Sequence, residues 1–168
     1  VGTNNSTGTI ATDGIKAFGM VGSKADTENK GNITINGVSS IGMYSIETSA
    51  SPLHKVAKNT GTITTTGNNN IAMVGNYSNI LNDTTGIIRL NNSTNNVGMY
   101  TSAGTSGAIT NNGTIVGIDG AIGIYGTDKV ILGNTSSTTV GDSGVAVYSD
   151  TGDVTVNSGA KIKLIKGG

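Results

Sequence analysis

The chain has no cysteine and no tryptophan, a single proline, a single histidine and a single phenylalanine. Without cysteine there is no disulfide framework, no thiol nucleophile and no cysteine-based metal site. Charged residues are 12% of the 168 and balance to a formal net charge of zero. They form no basic cluster, which argues against nucleic acid as a partner. No apolar run approaches the roughly 18 residues that a membrane-spanning helix needs. Low charge combined with 35% hydrophobic residues also fits disorder poorly. What is abundant is small and polar: 27 residues are glycine, and with Asn, Ser and Thr they exceed half the chain.

These residues are arranged in repeats, which decide the fold class. All four Met residues lie in one context: Phe18-Gly19-Met20-Val21, Ile41-Gly42-Met43-Tyr44, Ile71-Ala72-Met73-Val74 and Val97-Gly98-Met99-Tyr100. Ile122-Gly123-Ile124-Tyr125 and Val145-Ala146-Val147-Tyr148 repeat it with aliphatics in place of Met. Upstream of each lies Gly-x-Ile, as in Gly31-Asn32-Ile33 and Gly61-Thr62-Ile63. Counting from Gly31, apolar residues fall at Ile33, Ile35, Ile41 and Met43, and units of this kind start near residues 8, 31, 61, 86, 113, 133 and 152. Gly152 opens the last of them, with Val154, Val156, Ile162 and Leu164 in the four apolar places.

Apolar residues alternate with Gly, Ala, Thr or Asn inside each unit, the period of a strand with one buried face. A third, less regular segment follows, carrying single aliphatics such as Val56, Leu81 and Ile109. The expectation is an all-β parallel β-helix of about seven coils, each of roughly 24 residues, with no helix. One coil buries four or five aliphatics at about 1.5–3 kcal/mol each, less than the about 1–2 kcal/mol per residue lost in ordering its backbone. Coils therefore have to stack, and the whole of 1–168 is expected to be one continuous unit. Excursions at 46–58 and 76–83 are expected to be side loops.

The unit Asn-x-Gly-x-Ile…(Ile/Val)-Gly-Met-Tyr resembles the passenger repeats of the large fusobacterial outer-membrane autotransporters of type Va secretion. Asn29-Lys30-Gly31-Asn32-Ile33…Ile41-Gly42-Met43-Tyr44 and Asn59-Thr60-Gly61-Thr62-Ile63…Ile71-Ala72-Met73-Val74 carry the likeness most closely, and it extends over nearly the whole chain. The resemblance implies a right-handed, three-sided β-helix held at the bacterial cell surface by a C-terminal membrane barrel outside this sequence. It implies an adhesin, with a host receptor, a host glycan or a partner bacterium as the thing bound. On this reading the sequence is a piece of a longer passenger. No motif of the family fixes binding residues.

Binding residues are sought instead in the excursions, because loops on a rigid scaffold carry function. The first holds Pro52, His54, Lys55 and Lys58; the second holds Tyr77. Each excursion is either a binding loop or an insertion that the repeat tolerates. Tyr44, Tyr100, Tyr125 and Tyr148 are expected to face outward in a partial stack along one edge, a structural role or a partner-facing ladder. Gly141-Asp142-Ser143-Gly144 matches the surroundings of a serine-protease nucleophile, but it falls where other units turn, and the sole His is His54. A Thr-x-Thr ice-binding face would need Asn32/Thr34, Thr62/Thr64, Ile87/Arg89 and Thr114/Val116 to match, and they do not. The calcium β-roll repeat is missing and the eight Asp are scattered. No enzyme, metal or cofactor is expected. A β-helical polysaccharide-active enzyme is the runner-up, and a pure stalk the alternative within the adhesin reading.

Overall fold

Each short apolar pair of the repeat becomes one strand, and each Asn/Gly cluster a corner. The computed structural model describes residues 1–48, 54–91, 94–102 and 107–165. The described residues form strands and corners without helix. The first coil is β1 (Gly2–Asn4), β2 (Thr9–Thr12) and β3 (Phe18–Ser23), and the second is β4 (Thr27–Asn29), β5 (Asn32–Ile35) and β6 (Ile41–Ile46). The third is β7 (Val56–Asn59), β8 (Thr62–Thr65) and β9 (Ile71–Asn76); the fourth is β10 (Asn79–Asn82), β11 (Ile87–Leu90) and β12 (Val97–Thr101). The fifth is β13 (Ile109–Asn111), β14 (Thr114–Gly117) and β15 (Ile122–Gly126), and the sixth β16 (Val130–Leu132), β17 (Ser137–Val140) and β18 (Val145–Ser149). Two further strands, β19 (Val154–Val156) and β20 (Lys161–Leu164), begin a seventh.

Every third strand stacks in parallel, so the rod has three faces. Face 1 holds the seven strands from β1 to β19, face 2 the seven from β2 to β20, and face 3 the six from β3 to β18. This is a parallel β-solenoid, as the repeats require. The last unit is placed differently from its sequence assignment. Val154 and Val156 stack on Val130 and Leu132 in face 1, and Ile162 and Leu164 stack on Thr138 and Val140 in face 2. Corners between faces 1 and 2 come in two lengths. The two-residue form is Lys30-Gly31; the four-residue form, 157–160, is closed by the Ala160 N–H donating to the Asn157 carbonyl at 3.0 Å. The longer corner reproduces the spacing that elsewhere separates faces 2 and 3, which is why the pattern matched in the wrong register. The weak unit near Gly133 resolves likewise, with its face-2 strand beginning at Ser137.

Inside the rod, side chains stack in columns. On face 2, Ile33, Ile63, Ile88 and Ile115 lie in one buried column. On face 3, Met43, Met73, Met99 and Ile124 form another, fully buried. The expected strict alternation fails on this face. A Cβ added to Gly42 would meet Ile35 and Ile63 of the core at 2.9 and 3.1 Å, so residue 42 points inward as well as Met43. Ile41 is then turned to the outside and is only half-buried. The Gly/Ala before each Met is thus a space requirement, two consecutive inward residues of which the first must be small.

Face 1 buries asparagine. Asn29 donates Nδ2 to Asn59 Oδ1 at 2.8 Å, and the same bond joins Asn4 to Asn29 and Asn82 to Asn111. These side chains lie at the inner end of each strand, and their paired amides satisfy one another from coil to coil.

Candidate functional site

The excursions of coils 2 and 3 sit on the same corner, between faces 3 and 1, one coil apart. His54 Nδ1 lies 3.0 Å from the Tyr77 carbonyl oxygen. A carbonyl has no proton to give, so Nδ1 is the donor. Tyr77 takes a left-handed backbone, φ 52°, unusual for a bulky residue. It is held there from both sides. The Asn76 carbonyl accepts the Glu47 N–H at 2.9 Å, and Ser78 Oγ donates to the Ser45 carbonyl at 2.8 Å. The Lys55 N–H donates to the Glu47 carboxylate, and the Lys55 carbonyl accepts the Asn79 N–H at 2.9 Å. The next N–H, of Val56, donates to Asp26 Oδ1 at 2.9 Å.

The structure thus joins His54, Lys55 and Tyr77 at one corner. Pro52 lies outside the described residues. The second excursion is shorter than expected: Asn79–Asn82 is strand β10, so only Tyr77 and Ser78 separate it from β9. Tyr77 is half-buried at a corner, not at the tip of a loop.

Lys58 is elsewhere, on the outer side of face 1. Its Nζ lies 3.0 Å from Asp83 Oδ2 and 3.7 Å from Glu28 Oε1, and Lys30 reaches Glu28 at 3.3 Å. The Asp83 hydrogen bond, above all, raises the Lys58 pKa above its ordinary value. The Thr84 N–H, which donates at 2.8 Å, followed by Lys58, holds the Asp83 carboxyl below the usual carboxylate range. The ammonium and carboxylate forms are therefore both favoured, and the pair stays ionic. Beside this network lies an open groove of about 400 Å³, lined by Val1, Asp26, Thr27, Glu28, Val56, Lys58 and Leu81. Its lining combines apolar side chains with both signs of charge.

Glu28, Asp26 and Asp83 were not among the residues singled out from sequence. Aligning Glu28-Asn29-Lys30-Gly31 on Lys58-Asn59-Thr60-Gly61 would have found the first, since the structure pairs Glu28 with Lys58 in register. Ser143 sits in the turn between β17 and β18 with φ 55°, where the Gly144 N–H donates to the Gly141 carbonyl at 3.1 Å. Thr34, Thr64, Arg89 and Val116 are register partners on face 2, so the hydroxyl array is broken in space as in sequence. Tyr100, Tyr125 and Tyr148 stack with centroids 5.6 and 4.7 Å apart, and Tyr44 packs on Phe18 at 5.7 Å. Burial within that stack, then the neighbouring Tyr148, raises the Tyr125 phenol above its ordinary pKa. Among the described residues, no group of three or more His, Asp or Glu could hold a metal ion.

Fold and site together define a β-solenoid repeat protein whose corner between coils 2 and 3 is elaborated. No protein-family model, curated protein or solved structure matches the chain.

Proposed function

We propose that this chain is a non-catalytic segment of a bacterial surface adhesin, built on the plan of a type Va autotransporter passenger and exposed outside the cell. The observation that carries this reading is the contrast between a regularly stacked buried interior and the elaborated corner joining coils 2 and 3, where His54, Lys55 and Tyr77 are gathered by hydrogen bonds between adjacent coils. A repeating rod positions such a corner rigidly and at a distance from its anchor, which is what display requires. The partner class we favour is a host receptor, a host glycan or the surface of a partner bacterium. The mixed-charge groove beside Lys58 suits a ligand that offers both charge and apolar surface.

A stalk is the second reading, and one observation favours it. His54 Nδ1 is taken by a backbone carbonyl and Lys58 by two carboxylates, so part of the recognition chemistry is satisfied within the rod. Replacing 47–55 by a short Gly-Asn turn separates the two readings. Saturable binding of the purified chain to host cells or partner bacteria, lost in that variant, supports the adhesive reading. No binding by either protein moves the assignment to a stalk, and equal binding by both moves the adhesive surface away from this corner.

A further inference from the structure

With neither cysteine nor tryptophan in the chain, tyrosine is the side chain that gives up a single electron most readily. Methionine, which oxidises at sulfur, is mostly withdrawn: Met43, Met73 and Met99 are fully buried. One-electron oxidation at the surface therefore falls on the five tyrosines. Their placement is uneven. The outer column of face 3 reads Val21, Tyr44, Val74, Tyr100, Tyr125 and Tyr148 from coil 1 to coil 6. Val74 separates Tyr44 from the other three, and Tyr77 stands at a corner between β9 and β10. Tyr100, Tyr125 and Tyr148 are register partners on consecutive strands, which spaces their backbones about 4.8 Å apart.

Ring geometry separates the two pairs. Tyr125 lies on Tyr148 with centroids 4.7 Å apart and 27° between planes. Tyr100 and Tyr125 are wider, 5.6 Å apart and tilted by 40°. Side chains of parallel register partners leave the sheet in the same direction, so the stacked rings run alongside one another. Burial, and next the Tyr148 phenol, raise the Tyr125 pKa, which agrees with two hydroxyls held near each other. The ring carbons ortho to those hydroxyls then face their counterparts across the stack. Tyr148 is 44% exposed and Tyr125 half-buried, so both are open to an oxidant in solution.

We infer that Tyr125 and Tyr148 are a modification site, forming an intramolecular dityrosine cross-link when the chain meets a haem peroxidase and hydrogen peroxide. Each phenol gives up one electron and its hydroxyl proton. The two radicals join through a carbon–carbon bond between facing ortho carbons. Each of those carbons then passes its hydrogen, through solvent, to the oxygen of its own ring, which restores both aromatic rings and both hydroxyls. The electrons and protons released reduce one hydrogen peroxide to two waters. Radicals held side by side meet without a diffusional step. The bond staples coil 5 to coil 6 and restrains the unfolded chain, the entropic route by which cross-links stabilise. The inference does not depend on the adhesin reading.

Brief treatment of the dilute full chain with a haem peroxidase and limiting hydrogen peroxide tests it. The expected product fluoresces as dityrosine, is lighter by two hydrogen atoms, and stays monomeric under denaturing conditions. Digestion and mass spectrometry should join the Tyr125 peptide to the Tyr148 peptide. Tyr125→Phe removes the shared ring and leaves Tyr100 and Tyr148 two coils apart, so intramolecular cross-linking should fall about tenfold or more. Tyr148→Phe leaves the wider Tyr100–Tyr125 pair and a reduced yield, and Tyr77→Phe should leave the yield unchanged. Parent chain unfolded in urea before oxidation should lose the preference for Tyr125–Tyr148, which ties that preference to the fold without any substitution. Linkage mainly between separate chains overturns the proposal. So does a linkage map without the Tyr125–Tyr148 bond, full cross-linking in Tyr125→Phe, or a preference that persists in urea.

Discussion

Asn59 Nδ2 donates to Asn82 Oδ1 across 2.9 Å in the interior of the rod, while Asn59 Oδ1 accepts from Asn29 at 2.8 Å. Both Asn59 and Asn82 are fully buried. Removing the middle amide leaves a donor on one coil and an acceptor on the next without water to replace it. Each such group costs about 1–3 kcal/mol. Asn59→Leu should therefore lower stability by about 2–4 kcal/mol in urea titration, and Asn59→Asp by more, because a buried charge takes the place of a donor. An unchanged midpoint for Asn59→Leu would show that the ladder contributes nothing.

Met43 and Ile41 are two residues apart and, on strict alternation, would share a face. The structure buries Met43 completely and leaves Ile41 partly open on the outer surface. Met43→Asp should cost several kcal/mol, since its carboxylate has no partner inside the rod. Ile41→Asp should cost roughly 1 kcal/mol or less, as expected of a half-exposed position. Equal losses in thermal melts of the two variants would restore the alternating arrangement.

Gly61 and Ser39 reverse the usual expectation about glycine. A Cβ on Gly61 would run into the carbonyl oxygen of Gly31 one coil below, yet no left-handed φ is found there. Ser39 has φ 56° and is exposed. Gly61→Ala should destabilise by about 1–3 kcal/mol through overpacking against backbone. Ser39→Gly should be neutral or slightly stabilising, since the left-handed conformation costs other residues about 1–2 kcal/mol. Melting temperatures of the two variants decide between steric and torsional causes, and a harmless Gly61→Ala would count against the stacked-corner account.

Repeats made the solenoid legible in the sequence because the buried positions of faces 2 and 3 use few residue types at nearly constant spacing. Face 1 was hidden for a physical reason. Its inward residues at the Asn29, Asn59 and Asn82 positions are polar and pair with each other, so no hydrophobic period marks them. The four-residue corner at 157–160 shifted the register again, which is how Val154 and Ile162 came to be assigned one face too far along. Of the candidate site, the excursions were visible as breaks in the repeat. The bond between His54 and Tyr77 and the pairing of Lys58 with Asp83 were not, since both join residues more than twenty positions apart that only coil stacking brings together.

The Lys58–Asp83 pair makes its contribution to stability depend on pH in a definable window. Asp83 holds its proton less tightly in the folded chain than in the unfolded one, its pKa being lowered by the Thr84 N–H and by Lys58. Its contribution is therefore present above the unfolded value of about 3.9 and lost as pH falls through the lower folded value. Lys58 is shifted upward, so its contribution is full below about 10.4 and lost as pH rises through the higher folded value. Both side chains remain partly open to solvent, at 36% and 26%, which limits the pair to under about 1 kcal/mol and exposes it to salt. Lys58→Gln, Asp83→Asn and the double variant, compared by urea titration, should show a coupling that is constant between about pH 5 and 9, shrinks towards pH 2 and fades in about 1 M salt. A coupling that survives acid and salt unchanged would mean that the two residues interact through packing and not through charge.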